Sequence, residues 1–388
     1  MNRRRMVGGC CLVVVLGLAV AACNVEPVTL RADQPVQIGA GGDSTLALAT
    51  LTDGTVVAVG ESFFDSTSIE VYQQRYSSTG DPLSSNPTMV NAVVGYRQVN
   101  PTVVALPGDT YAVLWLGDYP AESTDSAILG RLFDSGGNPL TGDVLLADNA
   151  SGSTVGTVAA AAVPGVGLVA AWADRDDTIH AQEFSTTLGP VGPSVSVDDS
   201  QMDASSQPAV AGLQDHGFAV TWNVRAGTAL RVFNGFDVPI GPPVVVGGMG
   251  PEPPVATGLG DGSFVIVGED LGPGESYGHN DVEALHFDEY GNQLGDVVPM
   301  SSPGSPLVYN PVVAPLPNGG YVAGWLESTD YSHYTLMVHR LFANGVEISP
   351  EIQTSQVGAL GTAGVTGLPG DGFAIWLDSL QFYLPAPN

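Results

Sequence analysis

Lysine is absent from this chain, and each of its 11 basic residues is an arginine. The missing amine excludes Schiff-base catalysis and a Walker-type phosphate loop. Bases are scarce overall: 11 stand against 40 acids, for a formal charge of −29. Arg3, Arg4 and Arg5 fall in an N-terminal leader, so the remainder is more acidic still. A surface of that sign repels phosphate backbones and argues against nucleic acid as a partner. Cysteine stops at Cys23, and Cys10 and Cys11 lie inside the leader. The body therefore has neither a disulfide nor a cysteine-based metal site, and packing must stabilise it. A helical hydrophobic period is missing throughout. The apolar run Leu12–Val20 is too short and wrongly flanked for a stable membrane span.

What the chain does have is a repeat. Pro311–Trp325 reads PVVAPLPNGGYVAGW, Pro101–Trp115 reads PTVVALPGDTYAVLW and Pro208–Trp222 reads PAVAGLQDHGFAVTW. Four further copies drift from it: Leu46–Gly60, Val158–Trp172, Pro254–Gly268 and Thr362–Trp376. The anchors Gly60, Trp115, Trp172, Trp222, Gly268, Trp325 and Trp376 lie 46 to 57 residues apart. A period in that range means one supersecondary unit stacked many times. Within a unit, a small-residue segment such as Ala209–Leu213 meets a Gly/Asn/Asp turn, and a second segment ends at Trp. A variable polar loop follows. A third segment then alternates and ends aromatic, as in Ile128–Phe133, and a Gly turn leads to a short fourth segment such as Val244–Val246. Period-two alternation and positive-φ turn residues read as four antiparallel strands, a propeller blade. The last unit has three segments, ending in Leu380–Leu384, and Gln34–Ile38 (QPVQI) is expected to supply its fourth. Such closure removes an open sheet edge. The expected fold is all-β: a seven-bladed β-propeller of four-stranded antiparallel blades over residues 33–385.

The leader carries its own signal. Arg3–Arg5, the apolar run and then Val20-Ala21-Ala22-Cys23 resemble the signal peptide and lipobox of bacterial lipoproteins. The resemblance implies cleavage after residue 22 and a lipid-modified Cys23, with a tether over residues 23–32. Asn24, rather than Asp, implies the outer membrane. Several lipid chains hold a protein far better than one. The repeat itself resembles a bacterial family of secreted and surface repeat proteins, whose units read like Leu316–Trp325 (LPNGGYVAGW) followed by Gly130–Leu140 (GRLFDSGGNPL). Gly60 and Gly268 depart from that pattern, which puts tight packing in doubt at those two blades.

Strands alternate in direction, so the loops between second and third strands share one face with the blade-to-blade connections. The variable loops gather there, and variable loops on a rigid scaffold are where binding usually sits. The same face is acidic, with Asp118, Asp174, Asp176, Asp177, Glu269, Asp270, Glu327 and Asp378 as candidate ligand-binding residues. A ring of carboxylates could bind Ca²⁺, with Asp174, Asp176, Glu269 and Asp270 as candidate ligands, or a hydroxyl-rich or cationic partner. The competing reading is a solvated, solubilising surface, since no loop has the D-x-D-x-D-G spacing. Other motifs carry less. Gly274–Gly278 (GESYG) matches G-x-S-x-G but has no helix after it, and Gly42-Asp43-Ser44 leads into a strand. His279 and His333 could meet at a metal or stay solvated. The five Trp recur at one position and read as core. Arg75, Arg131, Arg231 and Arg340 recur before the third strand's terminal aromatic and read as inter-blade salt bridges or turn caps.

These readings converge on a monomeric, outer-membrane lipoprotein facing the periplasm or the exterior. It would bind protein or polysaccharide through its loop face and need no cofactor, with Ca²⁺ as the one candidate. A carbohydrate-active hydrolase or lyase using paired loop carboxylates is the alternative. A surface-layer component with no specific ligand is a third reading.

Overall fold

In a computed structural model the described residues are 11–15, 18–22, 28–34, 46–64, 68–118, 126–150, 157–174, 176–198, 204–224, 227–235, 237–246, 253–271, 280–301, 308–328, 330, 333–348, 351–353, 364–376 and 380–385. They form seven four-stranded antiparallel sheets. Blade one is Leu46–Thr50, Val56–Phe63, Ile69–Tyr76 and Thr88–Met89. Blade two is Gln98–Leu106, Thr110–Asp118, Ser126–Asp134 and Val144–Ala150. Blade three is Ala159–Val163, Gly167–Ala173, Ile179–Ser185 and Pro190–Ser196. Blade four is Ala204–Gly212, Phe218–Val224, Gly227–Phe233 and Val244–Val246. Blade five is Val255–Gly258, Phe264–Leu271, Asn280–Phe287 and Val298–Pro299. Blade six is Val308–Pro315, Tyr321–Ser328, Tyr334–Leu341 and Ile352–Gln353. Blade seven takes Gly364–Leu368, Gly372–Trp376 and Leu380–Pro385 from the C-terminal end. One turn of 3₁₀-helix, Gln214–His216, is the only helix among the described residues. The architecture is a seven-bladed β-propeller.

The ring closes with an N-terminal strand, but its position differs from the expected one. Val28–Gln34 (VTLRADQ) pairs with Leu380–Pro385, from Val28 opposite Pro385 to Gln34 opposite Leu380. The expected QPVQI segment shares only Gln34 with it, and Pro35–Ile38 lie outside the described residues. Both stretches alternate, but Pro35 has no N–H to give a ladder, which favours the upstream register. The strand takes up residues assigned above to the tether. It enters at the end of the blade where hairpins lie, because Leu380–Pro385 runs toward that end. Cys11–Val15 and Leu18–Ala22 pair with each other in a separate two-stranded sheet.

The repeated Pro explains a local feature. In blades two, four and six the pairing of first and second strands slips between Val99 and Thr102, Ser205 and Ala209, and Tyr309 and Val312. Pro101, Pro208 and Pro311 sit inside these bulges, where a missing N–H costs no ladder bond. Asn100 and Asn310 take positive φ (52° and 51°) just before two of them.

The hydrophobic cores are the interfaces. Seven clusters form, and each joins two neighbouring blades. One of them, built from Val59, Val71, Trp115 and Phe133, joins blades one and two. Another, built from Leu46, Ala58, Leu380 and Phe382, joins seven to one. Trp115, Trp222 and Trp325 are fully buried and Trp172 is 5% exposed, so these four are core. Gly60 and Gly268 do not keep their strands from packing. Val57, Val59, Val265 and Val267 on the same strands are fully buried against the next blade.

Candidate functional site

The loop face holds the expected acids, but distributes them. Asp118 ends the second strand of blade two and accepts the Arg97 N–H. Asp174 closes a turn in blade three: the N–H groups of Asp176 (2.9 Å) and Thr178 (3.0 Å) and the His180 Nε2–H (2.9 Å) all donate to it. Burial pulls Asp174 up, but these hydrogen bonds outweigh it and hold the carboxyl below its ordinary value. Asp176 and Asp177 are exposed. Glu269 and Asp270 belong to blade five, Glu269 fully buried and Asp270 paired across the sheet with Asp281. Glu327 accepts the Trp325 Nε1–H at 3.0 Å. Blade four thus stands between the Asp174–Asp176 pair and the Glu269–Asp270 pair. Among the described residues no three His, Cys, Asp or Glu come close enough to hold a metal. Cys23, Asp378, His279 and the GESYG stretch lie outside the described residues. His333 instead meets Asp330, 2.7 Å from Nδ1 to Oδ2.

The axis is lined by first strands from all seven blades. Its loop-face mouth is a pocket of about 350 Å³ walled by residues such as Ala47, Ala160, Ala209, Val255, Val312 and Val365. No carboxylate among the described residues lines it. The innermost strands are small and aliphatic because seven of them must converge on one axis. Acids belong to the loops, which radiate outward.

The recurring arginines bind carbonyls. Arg131 donates to those of Thr141 (2.9 Å) and Val90 (2.7 Å), and Arg231 to those of Gly241 (3.3 Å) and Val197 (2.8 Å). Each caps its own blade's turn and ties back to the blade before. Arg75 and the buried Arg340 reach forward, to the Ser135 and Asp371 carbonyls. In each of these contacts the guanidinium meets a backbone oxygen at a turn or strand end, so of the two expected roles these contacts are turn caps.

The hairpin face shows a pattern invisible in any single repeat. The residue before the third strand's terminal ring faces a positive-φ residue in the next blade's outer hairpin. Arg75 meets Gly137, and Val232 meets Gly291. In blades three and four the same position holds two acids, Glu183 and Asp237. Asp237 has φ 56° where glycine is usual. Glu183 is 2% exposed, and its Oε1 and the Asp237 Oδ1 have no hydrogen-bond partner among the described residues. Burial first, then the charge of Asp237 and the hydrogen bond to it, push the Glu183 carboxyl up to about 7. Burial also raises Asp237. One proton shared between the two resolves the repulsion.

Between blades five and six the same position opens into a groove of about 900 Å³. His286 forms part of its floor, opposite Gly345 (φ 76°), whose absent Cβ would stand 3.1 Å from the imidazole Cε1. Leu294, Phe342, Ala343 and Val346 give the groove an apolar wall, and Leu294 and Val346 remain 46% and 56% exposed. Asp261, Ser263, Asn318 and Asn344 set polar groups beside that wall. Asp261 accepts from the Ser263 N–H (3.0 Å) and hydroxyl (2.5 Å). His286 is 3% exposed, tilts against the Tyr321 ring and has no partner for Nε2 among the described residues. Burial holds its pKa below the ordinary value, only partly countered by Asp261, so the ring is neutral at neutral pH. The Tyr321 hydroxyl beside it is also buried without a partner among the described residues. The equivalent Tyr111 has Gln73, for which blade five offers Ala284. An apolar wall with a few convergent polar groups is the form of a small-molecule site. Sequence reasoning missed it because its residues lie in turns that look alike from blade to blade. The one available signal was His286, at a position that blades one to four fill with Arg75, Leu132, Glu183 and Val232.

No family model matches the chain, and no curated protein matches it. Solved structures do. It is similar to a protein of unknown function from Dyadobacter fermentans, with TM-score 0.53 and 8% identity over 93% of this chain and 100% of that one. It is similar to a mutant of the NanB sialidase from Streptococcus pneumoniae, with TM-score 0.52 and 9% identity over 88% of this chain and 71% of that one. A six-bladed lectin from Aleuria aurantia gives TM-score 0.41 and 13% identity over 66% and 80%. Identities this low show the fold alone.

Proposed function

We propose that this propeller is a saccharide-binding module that seats its ligand in the groove between blades five and six. The groove carries the reading. A pyranose presents an apolar C–H face and a rim of hydroxyls. Phe342 with Leu294 and Val346 matches the first, and Asp261, Asn318, Asn344 and Ser263 match the second. Planar amide and carboxyl groups take adjacent hydroxyls in pairs. A sialidase and a fucose-recognising lectin are among the solved propellers of similar fold, but that likeness supplies no residues, so the reading rests on the groove. The axial mouth offers a poorer candidate: Thr102, Thr157 and Gln207 are its polar side chains, and its described lining has no aromatic ring and no carboxylate.

The second part of the reading is the anchor. Arg3–Arg5, the apolar run and Val20-Ala21-Ala22-Cys23 support a lipid-modified Cys23 that holds the module at the outer membrane, with Asn24 next to it. The closing strand of blade seven begins at Val28, whereas the groove lies between blades five and six.

Calorimetric titration with a panel of oligosaccharides tests the first part. Phe342→Ala should weaken binding tenfold or more, about 1.4 kcal/mol or above, without changing the melting temperature. Equal affinity in that variant moves the site elsewhere. Cys23→Ser tests the second part and should move the protein from the membrane to the soluble fraction. Unchanged membrane attachment removes the lipoprotein reading and leaves the groove untouched.

A further inference from the structure

We propose that the groove selects saccharides by charge, admitting amine-bearing and neutral sugars and rejecting acidic ones, with Asp261 as the residue that reads the difference. This rests on the saccharide reading above and adds the ligand class.

Three observations carry it. First, Asp261 is the one acidic side chain among the described groove lining, and burial keeps His286 neutral. Second, the rim repeats that sign. Asp296 follows Gly295, and Glu347 follows Val346. Third, no cation among the described residues is available to answer an acidic sugar. The chain has no lysine. Arg340, the arginine of blade six, is buried and directed at the Asp371 carbonyl at the interface with blade seven. His339 stands between Glu347 and Glu351, 3.6 Å and 3.0 Å away. A carboxylate ligand would meet like charge with nothing to offset it, whereas an ammonium group would meet Asp261. At a half-open site, one such charge at contact distance changes affinity about fivefold in either direction.

The polar atoms beneath the groove fit the same choice. The neutral His286 Nε2 and the Tyr321 hydroxyl are both buried without partners among the described residues. Neither is ionised at neutral pH, because burial lowers the first and raises the second. Buried as they are, they add no positive charge to the groove.

The test uses the full chain and three oligosaccharides of one length and linkage: an N-acetylated (neutral) one, its deacetylated amine form, and a uronate. Calorimetric titration at mildly acidic pH, in about 20 mM and about 300 mM salt, gives the affinities. The expected order is amine, then neutral, then uronate, with about fivefold between steps that shrinks in the higher salt. Asp261→Asn should narrow the amine-to-neutral ratio. Asn keeps an oxygen for the Ser263 N–H, so the turn survives, and the salt series tests the same point without a variant. A uronate that binds as well as the neutral sugar, or ratios unmoved by both salt and Asp261→Asn, overturns charge selection while the saccharide reading stands. Failure of all three sugars to bind overturns both.

Discussion

Replacing Glu183 by glutamine should make the propeller less sensitive to pH and more stable at neutral pH. Glu183 and Asp237 face each other across the interface of blades three and four, each with an oxygen that has no partner among the described residues. Below about pH 4.5, the ordinary value for Glu, the folded pair holds a proton that lets one carboxyl donate to the other. As pH rises the unfolded chain ionises first, while the folded Glu183 resists until about 7. A folded-state value above the unfolded one contributes stability that is present at low pH and lost as pH rises through that window. The full difference is about 3 kcal/mol if nothing screens it. Asp237 lies on a half-open hairpin, and solvent reduces this to about 1.5 kcal/mol. For a chain this long that is a few degrees in melting temperature. The amide introduced by Glu183→Gln keeps the shape of the carboxyl, donates to Asp237 at any pH and does not titrate. The assay is the denaturant midpoint of both proteins from pH 4 to pH 8. The gap between wild type and Glu183→Gln should open by about 1.5 kcal/mol in favour of the variant as pH rises from 4.5 to 7. Parallel curves would refute the shared proton. Asp237→Gly gives a second check. It removes the other acid and relieves φ 56°, so it should stabilise by about 1 kcal/mol or more at pH 7.

Two further outcomes are expected. Deleting residues 24–34 removes the strand that covers Leu380–Pro385 and should lower the melting temperature and cause aggregation, while deleting only 24–27 should do neither; equal behaviour of the two would mean the ring does not close through Val28–Gln34. Ca²⁺, Mg²⁺ and NaCl at matched ionic strength should raise the melting temperature alike. Asp174 already accepts three hydrogen bonds and lies two blades from Glu269, so a shift specific to Ca²⁺ that disappears in Asp174→Asn would establish the cation site after all.

Much of the fold is legible in the sequence because a blade is local. Its four strands follow one another, so turn residues, alternation and the recurring Trp all appear within about 50 positions. The Trp residues read as core from recurrence alone, and Trp115, Trp222 and Trp325 are fully buried. The expectation of an N-terminal strand also came from counting, since a last unit of three segments leaves an edge to cover. The choice between QPVQI and VTLRADQ did not: Pro35 argues against the first, and the register against Leu380–Pro385 decides it. The arginines show the same limit. Their recurrence signals a repeated contact, but that Arg131 reaches the Val90 carbonyl rather than an acid depends on how the neighbouring blade sits.

An all-β repeat of seven units, its turns, its buried Trp and its acidic surface each depend on residues close together along the chain, so the amino-acid order is enough to establish them. Which residues of different blades meet was settled only in three dimensions. Glu183 faces Asp237, and His286 lies under a groove edged by Asn318 and Phe342, because closing the ring sets the offset between blades. That offset is a property of seven interfaces packing at once, and no single repeat encodes it.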